Sequence, residues 1–519
     1  MARAAALALV LFAVLIGDAQ AVQRGYNVYV VDGPFPAVDG SAGLLVPGAG
    51  PETSRDQALA SLLRGEVQNS LRGSLPEGGQ AINLAMLNGS PPKPPYIIVA
   101  LPKGGTQPND RRYPILVFGP RLRDGILVSD STRIPGLVSI ADIVPTVVGN
   151  AADTLRSQPD SDPAATLADL DARIDDHNDS RVPAGLVAGL ILIVLALLWP
   201  KAGLLGFGAA LLANLALGLA EVSSFWPTLL VIGLAAAAGG PLVALALRSD
   251  LAVGLFLSGI VAAYLVALGV DGSAVALSPF GPSQNSRFYG LSNFLETMLL
   301  VPALGGAVFL WRRLGWPAFA GIALLSFVTV AGNRFGADGG GAIVLAVAFP
   351  LLAILLAGLR GRRLAIVVGI ALAVAAGLLV LDAVTGPESH VSRALDSGPS
   401  GLAGDLRDRV ELSWNRIADQ ADIAAVVAVC LPVLVILVVR LLRSDAPLER
   451  RALPLAYAAA LATSLVVNDS PNDVLTAGLV GYVVVEAVML RDRCAVLSPS
   501  PGSSPGSSSS LPAAAPPRS

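Results

Sequence analysis

Four short stretches of this sequence carry the residue types that chemistry needs. The first, 283–296, holds Arg287, Asn293 and Glu296 among serines and aromatics. A guanidinium such as that of Arg287 can clamp a phosphate or carboxylate through two parallel hydrogen bonds. Asn293 and Glu296 are three apart, so on a helix they share one face. Glu296 falls inside an apolar run, where an ionisable group is costly unless it is paired or lines a wet cavity. The second stretch, 332–341, sets Asn333, Arg334 and Asp338 among glycines ahead of another apolar run, a flexible backbone feeding a helix N-terminus and suited to an anion. The third gathers Asp382, Glu388, His390 and Arg393, and the fourth is the turn 468–473, with Asn468 and Asp469. Together they nominate Glu296, Asp338 and His390 for proton transfer. Arg287, Asn293, Asn333, Arg334, Arg393, Asn468 and Asp469 are nominated for binding an anionic substrate. Each stretch also has a plainer reading: Arg287 with Glu296 as an ion pair between helices, Arg334 with Asp338 as a local pair, 468–473 as a solvated turn, and His390 as an exposed loop residue. No residue set has the spacing of a metal site.

The elements that must position these residues are membrane helices. Of 519 residues, 54% are hydrophobic and only 14% charged, too apolar for an ordinary soluble protein. The apolar runs are 183–199, 202–220, 226–247, 251–269, 290–311, 316–332, 340–358, 364–384, 422–440, 452–468 and 473–490. Most approach the ~20 residues that cross ~30 Å of hydrocarbon, which gives about eleven transmembrane helices. Their connections alternate in charge. Lys201, Arg248, Arg312, Arg313, Arg360, Arg362, Arg363, the stretch 440–451, Arg491 and Arg493 fall in every second loop, the cytoplasmic set by the positive-inside rule. All four polar stretches then share the extracytoplasmic face.

Ahead of the bundle, 1–21 has Arg3, an apolar core and Ala19-Gln20-Ala21, the form of a secretion signal. Residues 22–150 contain near-continuous apolar runs at 27–31, 96–101 and 114–118, which read as buried strands. Between the first two, Thr53-Ser54-Arg55-Asp56-Gln57 reads as a capped helix start, so this is a small α/β domain with a parallel sheet. Residues 151–182 read as a polar linker with one short helix, 183–493 as the all-α polytopic bundle, and 494–519 as a disordered cytoplasmic tail rich in Pro and Ser. Within the long outer loop 385–421, residues 402–417 alternate apolar and charged groups like an interfacial helix, with Trp414 at headgroup level.

The segments Tyr113-Pro114-Ile115-Leu116-Val117-Phe118-Gly119-Pro120, Gly125-Ile126-Leu127-Val128-Ser129 and Asp142-Ile143-Val144-Pro145-Thr146 resemble the late part of the alkaline phosphatase and sulfatase superfamily, and Val30-Val31-Asp32-Gly33 is similar to its opening strand. The resemblance covers about 120 residues and makes Asp32 the counterpart of a metal ligand. It breaks where catalysis would need it: the domain has no histidine before His177, and Asp32 with Asp110 is not a two-metal ligand set. The resemblance therefore implies a shortened, non-catalytic relative. The arrangement as a whole is also similar to actinobacterial membrane proteins that carry such a domain ahead of a helical bundle, which supplies no activity.

With a net charge of −3 the chain lacks a basic footprint for nucleic acid, and it has no Gly-x-x-x-x-Gly-Lys motif for ATP. No cofactor is indicated. The expected protein is a multi-pass plasma-membrane component that binds or processes a lipid-linked or phosphate-bearing envelope precursor, of the polyprenyl-phosphate type or another anionic lipid, at the outer face. A transporter or flippase, or a scaffold recruiting a protein partner through the outer domain, are the competing expectations.

Overall fold

The computed structural model describes residues 26–36, 38–71, 82, 84–87, 93–120, 122, 124–149, 155–285, 287–359, 369, 377 and 398–491. The N-terminal domain is built on β1 (Asn27–Val31), β2 (Ser41–Val46), β3 (Glu52–Ser54), β4 (Leu84–Met86), β5 (Tyr96–Ala100), β6 (Thr106–Pro108), β7 (Tyr113–Phe118), β8 (Ile126–Val128), β9 (Leu137–Ser139) and β10 (Arg156–Gln158). The main sheet runs β10-β8-β2-β7-β5-β1-β4, with β9 also on β2. In β1, Val28 and Val30 face the helices α1 (Arg55–Arg64) and α2 (Ile143–Val148), while Tyr29 and Val31 face the other side. Ile97, Ile98 and Val99 of β5 are fully buried, each contributing about 1.5–3 kcal/mol of apolar burial. The capped helix forms as its sequence dictates: Ser54 Oγ accepts from the Gln57 N–H, and the Gln57 side chain accepts from the Ser54 N–H.

The sheet is mixed, not parallel. β1 pairs parallel with β5, but β7 lies antiparallel to both β5 and β2. A parallel return needs a crossover, usually a helix, and residues 101–112 hold only the short β6 and a turn.

The helical part comprises α3 (Pro163–Leu198), α4 (Pro200–Leu219), α5 (Phe225–Ala246, with a π turn at Ala235–Gly239), α6 (Asp250–Val270), α7 (Gly272–Ala276), α8 (Asn293–Leu314), α9 (Trp316–Ala331), α10 (Gly339–Ala357), α11 (Gly398–Asp419), α12 (Ala421–Leu442), α13 (Leu448–Val467) and α14 (Pro471–Arg491). Among the described residues eight of these, α3, α4, α5, α6, α8, α10, α12 and α14, are long and apolar enough to cross a membrane, and they mark a multi-pass membrane protein. The other expected spans are α9, only 16 residues long, α13, which opens on Glu449, Arg450 and Arg451, and 364–384, which lies outside the described residues. The signal segment 1–21, the tail 494–519 and most of 385–397 also lie outside them.

Residues 163–182 are not a linker. They are the first half of α3, a single 36-residue helix about 54 Å long at ~1.5 Å per residue, nearly twice a bilayer core. Its polar half is held by the domain: Arg112 pairs with Asp171 and Asp175, both at 2.5 Å, and Leu170 and Ile174 pack with Val46, Ile134 and Leu137. Its apolar half, with Leu186, Leu190 and Leu198 exposed, continues along the bundle. The sheet domain thus stands at one end of the helices on a continuous helix, with Pro183 between its polar and apolar halves.

Candidate functional site

At the end of the bundle under the sheet domain, five segments bring polar side chains together. α8 is the central helix, buried along nearly its whole apolar length where α12 is largely exposed, so its N-terminus opens among protein groups and not lipid. Ser292 caps it by accepting from the Leu295 N–H at 3.0 Å, and Glu296 sits in its first turn, where the helix dipole favours an acid. Asn293 and Glu296 share a face, as their spacing requires. They address consecutive residues of the α13–α14 turn: Asn293 Nδ2 donates to Asp469 Oδ1 at 3.0 Å, and Asn468 Nδ2 donates to Glu296 Oε2 at 3.1 Å.

α10 enters the same cluster through its cap. Asp338 Oδ1 accepts from the Gly341 N–H at 3.1 Å, and its Oδ2 pairs with Arg287 Nη1 at 2.9 Å. The glycines that follow are a packing requirement. A Cβ on Gly341 would lie 2.9 Å from the Glu296 carboxyl, and one on Gly340 would collide with Asn468 Oδ1, so only a bare helix start admits these side chains. Arg287 also donates to the Gly336 carbonyl at 3.3 Å, tying the loop before α8 to the loop before α10.

The fifth segment is α11. Arg409, Ser413 and Arg416 donate to the Val467 carbonyl, the Asn468 carbonyl and the Ser470 hydroxyl, at 3.2, 3.0 and 3.0 Å, and Arg416 also pairs with Asp469 at 3.3 Å. The helix is amphipathic as its sequence indicated and Trp414 is 69% exposed, but its other face is not solvated: it clamps the α13–α14 turn. The signal was the spacing Arg409, Ser413, Arg416, one helical face with two guanidiniums on it.

Electrostatics follow from this geometry. Burial by itself would raise the Asp469 carboxyl, but Arg416 and Arg409 hold it below the ordinary aspartate range. Asp338, just ahead of α10, is likewise held low against the effect of burial, by Arg287 and the Gly341 N–H. Asp338 receives a donor on each oxygen and adjoins the Glu296 carboxyl, whose Oε1, like Asn468 Oδ1, is buried with no N–H donor on it. On the membrane side of Glu296 there is a space of only about 10 Å³, reached by Ser326 and Thr329, room for one water at most.

Of the nominated residues, Arg287, Asn293, Glu296, Asp338, Asn468 and Asp469 meet in this cluster. The plainer pairings do not occur: Arg287 pairs with Asp338 and not Glu296, Asp338 is not taken by Arg334, and Asn468 is 1% exposed. Asn333 is buried, with its carbonyl accepting from Arg133 of the sheet domain at 2.7 Å. Arg334 is exposed beside it and lines a separate cleft of about 140 Å³ with Arg133, Tyr289 and Phe335. His390, Arg393, Asp382 and Glu388 lie outside the described residues. Arg133 was not singled out from sequence, since nothing local marks it.

In the sheet domain, Asp32, which the phosphatase resemblance would make a metal ligand, is ion-paired with Arg55 at 2.5 Å. Among the described residues no three His, Cys, Asp or Glu side chains are grouped to hold a metal. No family model, curated protein or solved structure matches this chain.

Proposed function

We propose that this is a cell-envelope membrane protein that binds or processes a lipid-linked or phosphate-bearing precursor at the extracytoplasmic face, with the sheet domain and Asn468 outside and the basic loops inside. The observation that carries this reading is the convergence of Arg287, Glu296, Asp338, Asn468 and Asp469, from segments far apart in sequence, at the one bundle end covered by the sheet domain. Interhelical packing needs no such density of charge. In lipid a buried ionisable group is retained where it has work to do or a partner to hold.

Within the cluster the roles divide by free valence. Glu296, with one carboxyl oxygen free of any N–H donor and the Asp338 carboxyl beside it, is the group able to accept or deliver a proton. Asp338, held by Arg287 and the Gly341 N–H, positions the α10 loop. The sheet domain acts as a cover and binding module. Positive-inside counting supports the orientation.

The test is native mass spectrometry of the protein purified with its own lipids, comparing wild type with Glu296→Gln, an isostere that keeps the Asn468 contact. A retained anionic lipid-linked mass that accumulates in Glu296→Gln upholds processing. No such mass in either protein, with cell-surface polymers unchanged in the variant, overturns it.

A further inference from the structure

The polar cluster is filled, so a ligand the size of a phosphate needs another place to sit. The cleft between the sheet domain and the bundle, at about 140 Å³ against about 10 Å³ beside Glu296, is that place. Two guanidiniums reach it from opposite partners. Arg133 comes from the sheet domain, stacked 3.8 Å over the Tyr289 ring and donating to the Asn333 carbonyl. Its backbone is left-handed at φ 56°, a conformation a non-glycine residue holds only where its surroundings enforce it. Arg334 comes from the α9–α10 loop, and among the described residues it makes no hydrogen bond or ion pair. The remaining wall is mixed: Ile134, Phe335 and Leu268, the last near the end of the membrane-spanning α6, give it an apolar side, and Ser273 adds a hydroxyl.

The loop that presents Arg334 is fixed by the cluster beneath it. The Gly336 carbonyl accepts from both the Leu291 N–H, at 3.2 Å, and Arg287; the Gly336 N–H donates to the Thr329 carbonyl, and the Asp338 N–H to the Val330 carbonyl. The pair of half-buried Arg287 with buried Asp338 therefore helps set where Arg334 stands, joining the closed cluster to the open cleft.

Two guanidiniums over a wall with an apolar side suit a phosphate monoester: planar donors for its oxygens, matched charge, and an apolar surface for an attached chain. Asp271, the nearby acid, caps α7 through the Ser273 and Ala274 N–H groups and accepts from the Ser273 hydroxyl; its single negative charge is outnumbered by the two guanidiniums. We infer that the cleft between Arg133 and Arg334 is a phosphate-monoester site shared by the sheet domain and the bundle. The inference rests on the phosphate-bearing ligand proposed above and gives that ligand its binding place, with the sheet domain supplying half of it.

The experiment uses the full chain in phosphatidylcholine nanodiscs, titrated with inorganic phosphate and, separately, with farnesyl phosphate, for wild type, Arg334→Gln and Arg133→Gln. Loss of one charge-assisted contact should weaken binding by about tenfold or more, and affinity should fall as salt rises. Arg334→Gln alters an exposed, unpartnered side chain, so its fold is preserved and its result decides. Farnesyl phosphate binding far above inorganic phosphate identifies a lipid headgroup; equal binding identifies a free phosphate; either, if lost in Arg334→Gln, upholds the site. Wild-type affinity in Arg334→Gln, or no binding of either probe to wild type, overturns it. If the cleft fails this test while Glu296→Gln still accumulates a lipid-linked mass, the proposed function stands without this site. If the cleft binds phosphate but native protein retains no such lipid, the function falls and the site remains.

Discussion

The two ends of the helical bundle handle charge in opposite ways. At the end under the sheet domain, Arg287, Asp338, Asp469 and Arg416 are locked into reciprocal pairs, and Glu296 and Asn468 are 1% exposed. At the far end cations predominate: Arg313 and Arg443 are exposed, Arg312, Arg450 and Arg451 half-buried, Lys201 donates to the Leu247 carbonyl, and Arg440, 57% exposed, reaches Glu486. A charge in water needs no partner, whereas a buried one does. The far end therefore carries a charge excess that can orient the chain in a membrane. The near end carries a network whose every member constrains another.

The largest expected effect that can break this comparison is Arg287→Ala set against Arg440→Ala. Removing Arg287 leaves Asp338, 3% exposed, without its counter-charge, and should cost about 2–4 kcal/mol. Removing the exposed Arg440 should cost about 1 kcal/mol or less. Denaturant unfolding in detergent measures both, and equal losses would erase the distinction between the two ends.

Next in size is Gly341→Ala. The new methyl meets the Glu296 carboxyl and Val330, an overpacking worth about 1–3 kcal/mol. Combining it with Glu296→Ala should recover part of that loss, because one of the two clashes is with the side chain removed, while the closer one, with Val330, remains. A strictly additive double variant would mean that Gly341 is needed for some other reason.

Acid sharpens the contrast further. Asp469 and Asp338 have folded values below their unfolded ones, so their stabilisation is complete above the ordinary aspartate range and is lost as pH falls through the lowered values. The unfolding temperature should drop below about pH 4. Asp469→Asn should flatten that drop while lowering stability at neutral pH. An unchanged acid profile in the variant would show that Arg416 and Arg409 do not hold Asp469 ionised.

How much of this was legible in the sequence depended on the range of the interaction. The Asn293–Glu296 face and the Ser54–Gln57 cap are separations of three residues, which helix geometry resolves unaided. The four polar stretches were visible as compositional islands, and three of them meet. The partners were not visible: Arg287 reaches Asp338 across 51 residues of chain, past nearer candidates, and only the packing of α8 against α10 chooses between Glu296 and Asp338. Arg409 and Arg416 fell within the stretch read as an interfacial helix, since an amphipathic pattern fixes which residues share a face and not what that face meets. The same limit hid the continuity of α3, whose polar half has the composition of a linker and becomes helix because Arg112, Leu170 and Ile174 give it something to pack against.

The smallest expected effect is also informative. Arg334→Gln should change stability by no more than about 0.5 kcal/mol, because the side chain is exposed and makes no ion pair among the described residues. Its neighbour Asn333 is 2% exposed, so Asn333→Ala empties buried side-chain volume and should cost more despite being the uncharged residue, although the backbone carbonyl that accepts from Arg133 is kept. Thermal unfolding of the two variants side by side separates the residue that builds the loop from the one the loop displays. A large loss in Arg334→Gln would make its charge part of the frame, and the asymmetry between the buried cluster and the open cleft would disappear.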